Sequence, residues 1–174
     1  DPVDSIVICS GRIETLLKYK ELVFNLYNAG YSVFIHDHRG QGLSGRSTLN
    51  PHKGYVGSFD DYVSDLHTFV NAVVTPNSVS KPLLLCHSMG SAIGAQYLLS
   101  HPNDFERCVF SAPMFGIKPA LPTWLAFCLV KIHICINSLF SVEPWYFLGQ
   151  TDYLAKTFEQ NELTHSRARY DIFR

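Results

Sequence analysis

The sequence has no excess of charge of either sign, and this absence removes a large class of functions. Its 174 residues include 14 basic and 15 acidic side chains, which leaves a formal net charge of -1 at pH 7. A protein that holds DNA or RNA through phosphate contacts needs a basic surface to attract the polyanion. We therefore expect no nucleic acid among its partners.

The cysteines are also not spaced as a metal site or a redox pair. The chain has five of them, none in a C-x-x-C pair and each within an apolar run: Cys9, Cys86, Cys108, Cys128 and Cys135. His36 and His38 alternate as two ligands on one strand face would, but no second His or Cys cluster supplies the remaining zinc ligands. We expect no metal, and unpaired thiols suit a reducing compartment.

The chain lacks an uninterrupted apolar run of the roughly 20 residues that a membrane span needs. Its longest apolar stretch, residues 120–136, is interrupted by Lys131 and His133. This interruption favours a lid or an interfacial segment over a transmembrane helix. Residues 1–4 show no signal-peptide pattern and lead directly into a strand, so we expect further residues upstream, and a removed targeting segment stays possible.

The chain does have enough apolar residues, 47% of the total, for one substantial core. Four continuous apolar runs bounded by turn residues are typical of strands buried on both faces: 5–10, 32–38, 82–87 and 107–113. Helical periodicity separates them at 16–27, 59–73 and 89–100. This alternation predicts an α/β fold, a parallel sheet with helices on both faces, over residues 1–117, followed by a helical cap over 118–174.

Ser88 is the candidate nucleophile. It follows the third predicted strand, directly precedes a helix rich in small residues, and lies in the only Ser-x-Gly of the chain. A strand-to-helix turn of this type raises a serine hydroxyl above the sheet, although the motif usually has glycine at the position of Cys86. The alternative interpretation is a helix N-cap. Cys86 itself is expected to be inert, because strand neighbours such as His87 point to the opposite face.

The loop after the first strand, residues 10–14, is where hydrolases of this topology place an oxyanion donor. We expect the backbone N–H groups of Arg12 and Met89 to bind a tetrahedral oxyanion, and the alternative is a plain tight turn. The Arg12 guanidinium could also meet a substrate phosphate.

A literal G-x-G-x-x-G lies at residues 40–45, but its context does not suit a dinucleotide site. A phosphate-binding loop must open a helix at once, whereas the next helix is expected only at about Phe59. No acidic residue ends a strand some twenty positions later, as ribose recognition requires.

Taken together, the motifs resemble those of bacterial lysophospholipases of the L-two type, within the monoacylglycerol-lipase-like α/β-hydrolases. The resemblance covers essentially the whole chain and rests on residues 11–14 (GRIE), 37–42 (DHRGQG), 44–46 (SGR), 87–90 (HSMG), 112–117 (APMFGI) and 161–165 (NELTH). It implies an α/β-hydrolase core with a cap, no cofactor, and hydrolysis of lysophospholipids or monoacylglycerols. It also implies Ser88 as nucleophile, Arg12 and Met89 as oxyanion donors, and a cytoplasmic location peripheral to the inner membrane.

The remaining triad members are not assigned. In α/β-hydrolases the acid and the histidine follow the serine on loops after later strands. The acids and histidines beyond Ser88 lie on no such strand: Asp104, Asp152, Asp171, His101, His133 and His165. We therefore expect an N-terminal part of a longer enzyme that is inactive by itself. Two alternatives stay open, namely a non-catalytic lipid-binding or membrane-docking module, and a hydrolase of a different small ester.

Overall fold

The computed structural model describes residues 4–141, 143–147 and 149–173. The four predicted apolar runs form one parallel sheet. Its strands are β1 (Ser5–Cys9), β2 (Ser32–Ile35), β3 (Leu83–His87) and β4 (Arg107–Ser111), in the spatial order β2-β1-β3-β4. The predicted parallel sheet is confirmed.

Three strands end earlier than predicted, and the first of them, β1, ends at Cys9 and not at residue 10. β2 ends at Ile35 and not at residue 38, because Ile8 is its last partner on β1 and the chain of β1 turns away shortly after it. β4 ends at Ser111 and not at 113, because Ala112 adopts a positive φ of 45° that cannot continue a strand.

In the residues described, five α-helices accompany the sheet: α1 (Lys20–Asn28), α2 (Asp60–Phe69), α3 (Met89–Ser100), α4 (Thr123–Phe140) and α5 (Arg167–Phe173). A tight 3-10 turn, Leu16–Tyr19, precedes α1, and α2 continues into a wider π turn, Val70–Val74. Ser58 lies just before α2, where its N–H donates to Asp61 (3.3 Å) and its hydroxyl accepts from the Asp60 N–H (3.2 Å).

The core lies between the sheet and helices α2 and α3. Its fully buried side chains alternate along β1 and β3 and recur at helical spacing on α2 and α3: Val7, Cys9, Leu66, Leu84, Cys86, Ile93 and Tyr97. By contrast, Val109 on the edge strand β4 is 59% exposed. One face of β4 is therefore less covered than the central strands β1 and β3.

The strand order places a ligand-binding crevice at one end of the sheet. From β1 the chain crosses to β2 on one side, and it then returns across the sheet to β3 on the other side of β1. The loops that follow β1 and β3 therefore separate at the carboxyl ends of two neighbouring strands, where parallel α/β sheets bind ligands.

The described residues beyond 118 form helices and loops but no strand, and the division at residues 117 and 118 stays a prediction. Helix α4 has no buried residue. By length and composition alone it could cross a membrane, a test that core helices of many proteins also pass.

Candidate active site

Ser88 forms a strained turn between β3 and α3. Its φ of 51° and ψ of -117° lie in a region that L residues rarely adopt. Three backbone hydrogen bonds hold it there: the Ser88 N–H donates to Ser111 O (3.1 Å), and the Ser88 carbonyl accepts from the N–H groups of Ser91 (3.0 Å) and Met114 (3.1 Å). Ser88 occupies the N-cap position of α3, as the alternative interpretation predicts, but its half-buried side chain makes no capping hydrogen bond, so its hydroxyl is not used to cap the helix.

Gly90 allows α3 to begin immediately after this turn. A Cβ at position 90 would lie 2.1 Å from the carbonyl oxygen of Cys9 and 2.5 Å from that of Ser10. Only glycine permits such a close approach between a helix and the end of a strand. The first turn of α3 is thereby held against the loop that follows β1.

Cys86 is fully buried and lies under α3. A Cβ at position 94 would lie 2.4 Å from its sulfur, so the glycine at 94 makes room for the thiol. The hydrogen bond with Cys108 lowers the pKa of Cys86, but the hydrogen bond with Cys9 and burial raise it more, and the net pKa is raised. The thiol is therefore neutral, as expected of an inert side chain.

One side chain of the loop after β1 and one side chain from the loop after β2 hold its backbone in place. The Gly11 N–H donates to Glu14 Oε2 (2.8 Å), and the Ile13 N–H donates to Gln41 Oε1. Ile13 has a positive φ of 58°, which is unusual for a β-branched residue. Among the residues that the structure describes, the N–H groups of Arg12 and Met89 donate to no acceptor.

The two unused donors occupy equivalent places on neighbouring strands. Cys9 and Cys86 are partners in the register of β1 and β3, and Arg12 and Met89 each lie three residues further along the chain. Both N–H groups therefore lie at the carboxyl end of the sheet, together with Ser88. A pair of unengaged donors beside a strained serine is the arrangement that stabilises an oxyanion during acyl transfer.

Glu14 is the centre of a polar cluster that the sequence analysis missed. Its carboxylate accepts from the Lys18 ammonium, the Tyr19 hydroxyl and the Gly11 N–H, and His87 Nδ1 lies 3.3 Å away. Burial raises the pKa of Glu14, but these hydrogen bonds outweigh burial and hold the pKa at about 2. The cluster fixes the loop that carries Arg12 against the strand that carries Ser88.

The glycines at residues 40–45 serve a turn around Asp37. The Asp37 carboxylate accepts from the N–H groups of Leu16 (2.5 Å) and Leu43 (2.7 Å). A Cβ on Gly42, whose φ is 49°, would lie 2.2 Å from this carboxylate. Since α2 begins only at Asp60, this loop does not open a helix as a dinucleotide-phosphate site requires.

His36 and His38 pack edge to face, with ring centroids 5.2 Å apart. His38 Nε2 lies 3.0 Å from Ser10 O, and both ring nitrogens of His36 are buried without a partner in the described residues. Burial, and then the neighbouring His38, lower the pKa of His36 to about 4. Across the residues described, no group of three potential metal ligands occurs.

Several acids and histidines beyond Ser88 make contacts away from the Ser88 turn. His101 stacks on Tyr97, and Asp104 accepts the Tyr97 hydroxyl, in the loop that enters β4 at the opposite end of the sheet. Asp171 pairs with Arg167. In the described part of the chain, no hydrogen bond joins the Ser88 hydroxyl to a histidine.

Known proteins share both the sequence and the fold. The chain is 42% identical over 165 residues to lysophospholipase L2 of Escherichia coli, which covers 95% of this chain and 48% of that protein. It is 33% identical to the probable lysophospholipase L2 of Haemophilus influenzae, over 94% and 50% of the two chains. This chain thus spans about half the length of these curated relatives.

Solved structures agree on the architecture. The monoacylglycerol lipase of Paleococcus ferrophilus superposes with a TM-score of 0.54 at 20% identity, over 74% of this chain and 46% of that one. A thioesterase domain from the curacin biosynthetic pathway reaches a TM-score of 0.60 at 16% identity, over 79% and 46%. At these identities the likeness establishes the α/β-hydrolase fold, which is incomplete in these 174 residues.

A family model described as serine aminopeptidase, S33, matches residues 1–174. The match agrees with the resemblance drawn from the sequence motifs and with the strained serine between β3 and α3. The chain belongs to this family of α/β-hydrolases.

Proposed function

We propose that the complete protein is a serine hydrolase that cleaves the acyl ester of lysophospholipids or monoacylglycerols through an acyl-enzyme on Ser88. The observation that carries the proposal is the strained Ser88 turn beside the unused N–H groups of Arg12 and Met89. The names of the relatives, lysophospholipase L2 and the monoacylglycerol lipase of Mycolicibacterium smegmatis, support the substrate class.

In the proposed reaction, the Ser88 hydroxyl attacks the ester carbonyl and gives its proton to a histidine base of the complete protein. The carbonyl oxygen becomes an oxyanion that accepts hydrogen bonds from the Arg12 and Met89 N–H groups. The glycerol oxygen leaves with a proton from the histidine, and water then hydrolyses the acyl-enzyme to a fatty acid. An alcohol in place of water would give acyl transfer.

The apolar helix α4 supports a role for the cap in handling the acyl chain. Its exposed large side chains include Trp124, Phe127 and Ile132. Such a surface can shield a fatty chain or rest on a bilayer through its apolar face. Peripheral contact with the cytoplasmic face of the inner membrane is part of the proposal.

Labelling with a fluorophosphonate tests the proposal on the complete protein, since only an activated serine reacts. We expect Ser88→Ala to abolish labelling and to lower lysophospholipid turnover by at least about 10⁴-fold. Ser91→Ala is the matched control, because this buried hydroxyl on the same helix has no hydrogen-bond partner among the described residues. Unchanged labelling or turnover in Ser88→Ala would refute the mechanism.

The same experiment separates the alternatives. A lipid-binding module without catalysis would bind lysophospholipid but resist the fluorophosphonate. A hydrolase of small esters would turn over short acyl chains as fast as long ones, whereas we expect kcat/KM to rise with chain length.

A further inference from the structure

A cavity of about 330 Å³ lies next to the loop after β1, and the proposed chemical steps do not use it. It is lined by this loop, by residues 52–55 and by residues 144–146 and 150–151 of the cap. The lining side chains with polar or charged groups include Arg12, Gln41, His52, Lys53, Tyr55 and Tyr146.

The charged side chains that line the cavity are all of one sign, positive. Arg12, His52 and Lys53 are basic or can become so, and no acidic side chain lines the cavity in the described part of the chain. Within the same residues neither Arg12 nor Lys53 forms a salt bridge. A cavity with two unpaired cations attracts an anion, because the partly enclosed walls weaken the screening by water.

An aromatic ring positions Lys53 at the wall of the cavity. The Lys53 ammonium lies 5.3 Å from the centre of the Tyr146 ring, a cation–π distance that holds the side chain in place. One carboxylate, Asp152, approaches from outside the lining. Its Oδ1 accepts from the Tyr146 hydroxyl and from the Asn50 amide (2.8 Å). These hydrogen bonds, and to a smaller extent the charges of His52 and Lys53, lower the pKa of Asp152, but no salt bridge joins Asp152 to Lys53 in the described residues.

Arg12 connects this cavity with the reaction centre. Its backbone N–H is the proposed oxyanion donor, and its residue also lines the cavity. Since Arg12 belongs to both places, a substrate whose ester carbonyl lies at the Arg12 N–H has this cavity next to it to receive its neighbouring groups. In a lysophospholipid the phosphate is joined to the acyl ester through the three carbons of glycerol, whereas a monoacylglycerol has only a neutral hydroxyl there.

We propose that this cavity binds the phosphate of a glycerophospho headgroup through Arg12, His52 and Lys53, and so selects lysophospholipids over neutral monoacylglycerols. The proposal rests on the proposed function, because it names the substrate class of the same site. The Arg12 guanidinium can offer two parallel N–H donors to phosphate oxygens, and Lys53 adds a compact charge.

The test compares two substrates of the complete protein that share one acyl chain, a lysophosphatidylcholine and a monoacylglycerol, in the same micelles. We expect Lys53→Met to lower the ratio of the two kcat/KM values about tenfold, as the loss of a charge-assisted hydrogen bond would. Lys53→Arg should restore most of the ratio. Lys81→Met is the matched control, because exposed Lys81 precedes β3 at the opposite end of the sheet.

An unchanged ratio in Lys53→Met, whether both rates fall together or neither falls, would overturn the proposal. Direct binding of glycerophosphocholine, measured by calorimetry, keeps the two proposals apart. If the unmodified protein hydrolyses neither substrate but binds glycerophosphocholine, and Lys53→Met loses that binding, the proposed function fails and the headgroup site stands. If inorganic phosphate binds as tightly as glycerophosphocholine, the cavity is a general anion site and the headgroup proposal fails.

Discussion

The sulfur of Cys86 occupies the space that any side chain at position 94 would need. Cys86 lies two residues before the candidate nucleophile on β3, and Gly94 lies on the second turn of α3, 2.4 Å from that sulfur if a Cβ were added. The next nearest atoms to such a Cβ, on Leu84 and Phe110, are at ordinary contact distances of 3.4 and 3.7 Å. The thiol alone therefore decides whether position 94 tolerates alanine.

Gly94→Ala should destabilise the complete protein by about 1–3 kcal/mol, because the added methyl group overpacks the core against Cys86. In a Cys86→Ala background the same substitution should stabilise by about 0.5–1 kcal/mol, since alanine is the better helix former. Urea unfolding of the four proteins of this cycle measures the coupling. Additive effects would show that the sulfur is not the obstacle.

His36 should make the stability depend on pH between about 6.5 and 4. Its folded pKa of about 4 lies below the ordinary value of 6.5, so the unfolded chain binds the proton more readily. Stability is therefore complete above pH 6.5 and is lost as the pH falls toward 4, by on the order of 3 kcal/mol. His36→Phe, which keeps the ring beside Phe69, should flatten this part of the urea-unfolding profile.

His165→Phe, at an exposed position, is the matched control and should leave that profile as it is. A slope as steep in His36→Phe as in the unmodified protein would assign the pH dependence to another group, such as the buried His38, whose pKa is also lowered by burial.

Glu14 should make the stability depend on pH in a range below that of His36. Its folded pKa of about 2 lies below the ordinary 4.5, so its contribution is present above pH 4.5 and is lost as the pH falls to 2. Glu14→Gln should cost on the order of 2–3 kcal/mol at pH 7 and almost nothing at pH 2, as judged by urea unfolding at both values. Glu162→Gln is the matched control. Glu162 pairs with Lys156 at the exposed surface, so this substitution should lower the free energy of unfolding by less than about 0.5 kcal/mol.

If Glu14→Gln were as stable as the unmodified protein at pH 7, the carboxylate would not be the anchor of the loop after β1. We also expect this variant to lower kcat, because the Arg12 donor is held by the same loop.

The backbone strain at Ile13 should be relieved by substitution. It is 71% exposed and has a φ of 58°, a conformation that asparagine tolerates much better than a β-branched residue. Ile13→Asn should therefore raise the free energy of unfolding by about 1 kcal/mol. Ile117→Asn, which is 79% exposed without a positive φ, should give no such gain. A loss of stability in Ile13→Asn would mean that the side chain contributes more than its backbone costs.

The elements that depend on local patterns could be predicted from the sequence. Helix α3 begins and ends where predicted. Ser88 occupies the turn that precedes the helix, and Pro102 disfavours helical backbone in the residue before it. The Ser88 turn could be predicted because the residues that demand it are contiguous. The ends of β2 and β4 could not, since they depend on where a partner strand ends and on one positive φ.

The Glu14 cluster was missed because its members meet only in the folded chain. Tyr19 and His87 lie 68 positions apart, yet the Tyr19 hydroxyl is 3.1 Å from His87 Nδ1. The π turn at Val70–Val74 was also missed, because it keeps Val70 and Val74 buried as an ordinary helix would. The assignment of Arg12 and Met89 as donors remains a prediction that Ser88 labelling and kinetics can test.

The contact between Gly90 and the carbonyls of Cys9 and Ser10 ties two loops into one mechanical unit. Because the gap is filled by backbone on both sides, neither loop can be lengthened or rebuilt without displacing the other. To engineer a new specificity, one should therefore leave these two loops unchanged and exchange the cap segment instead.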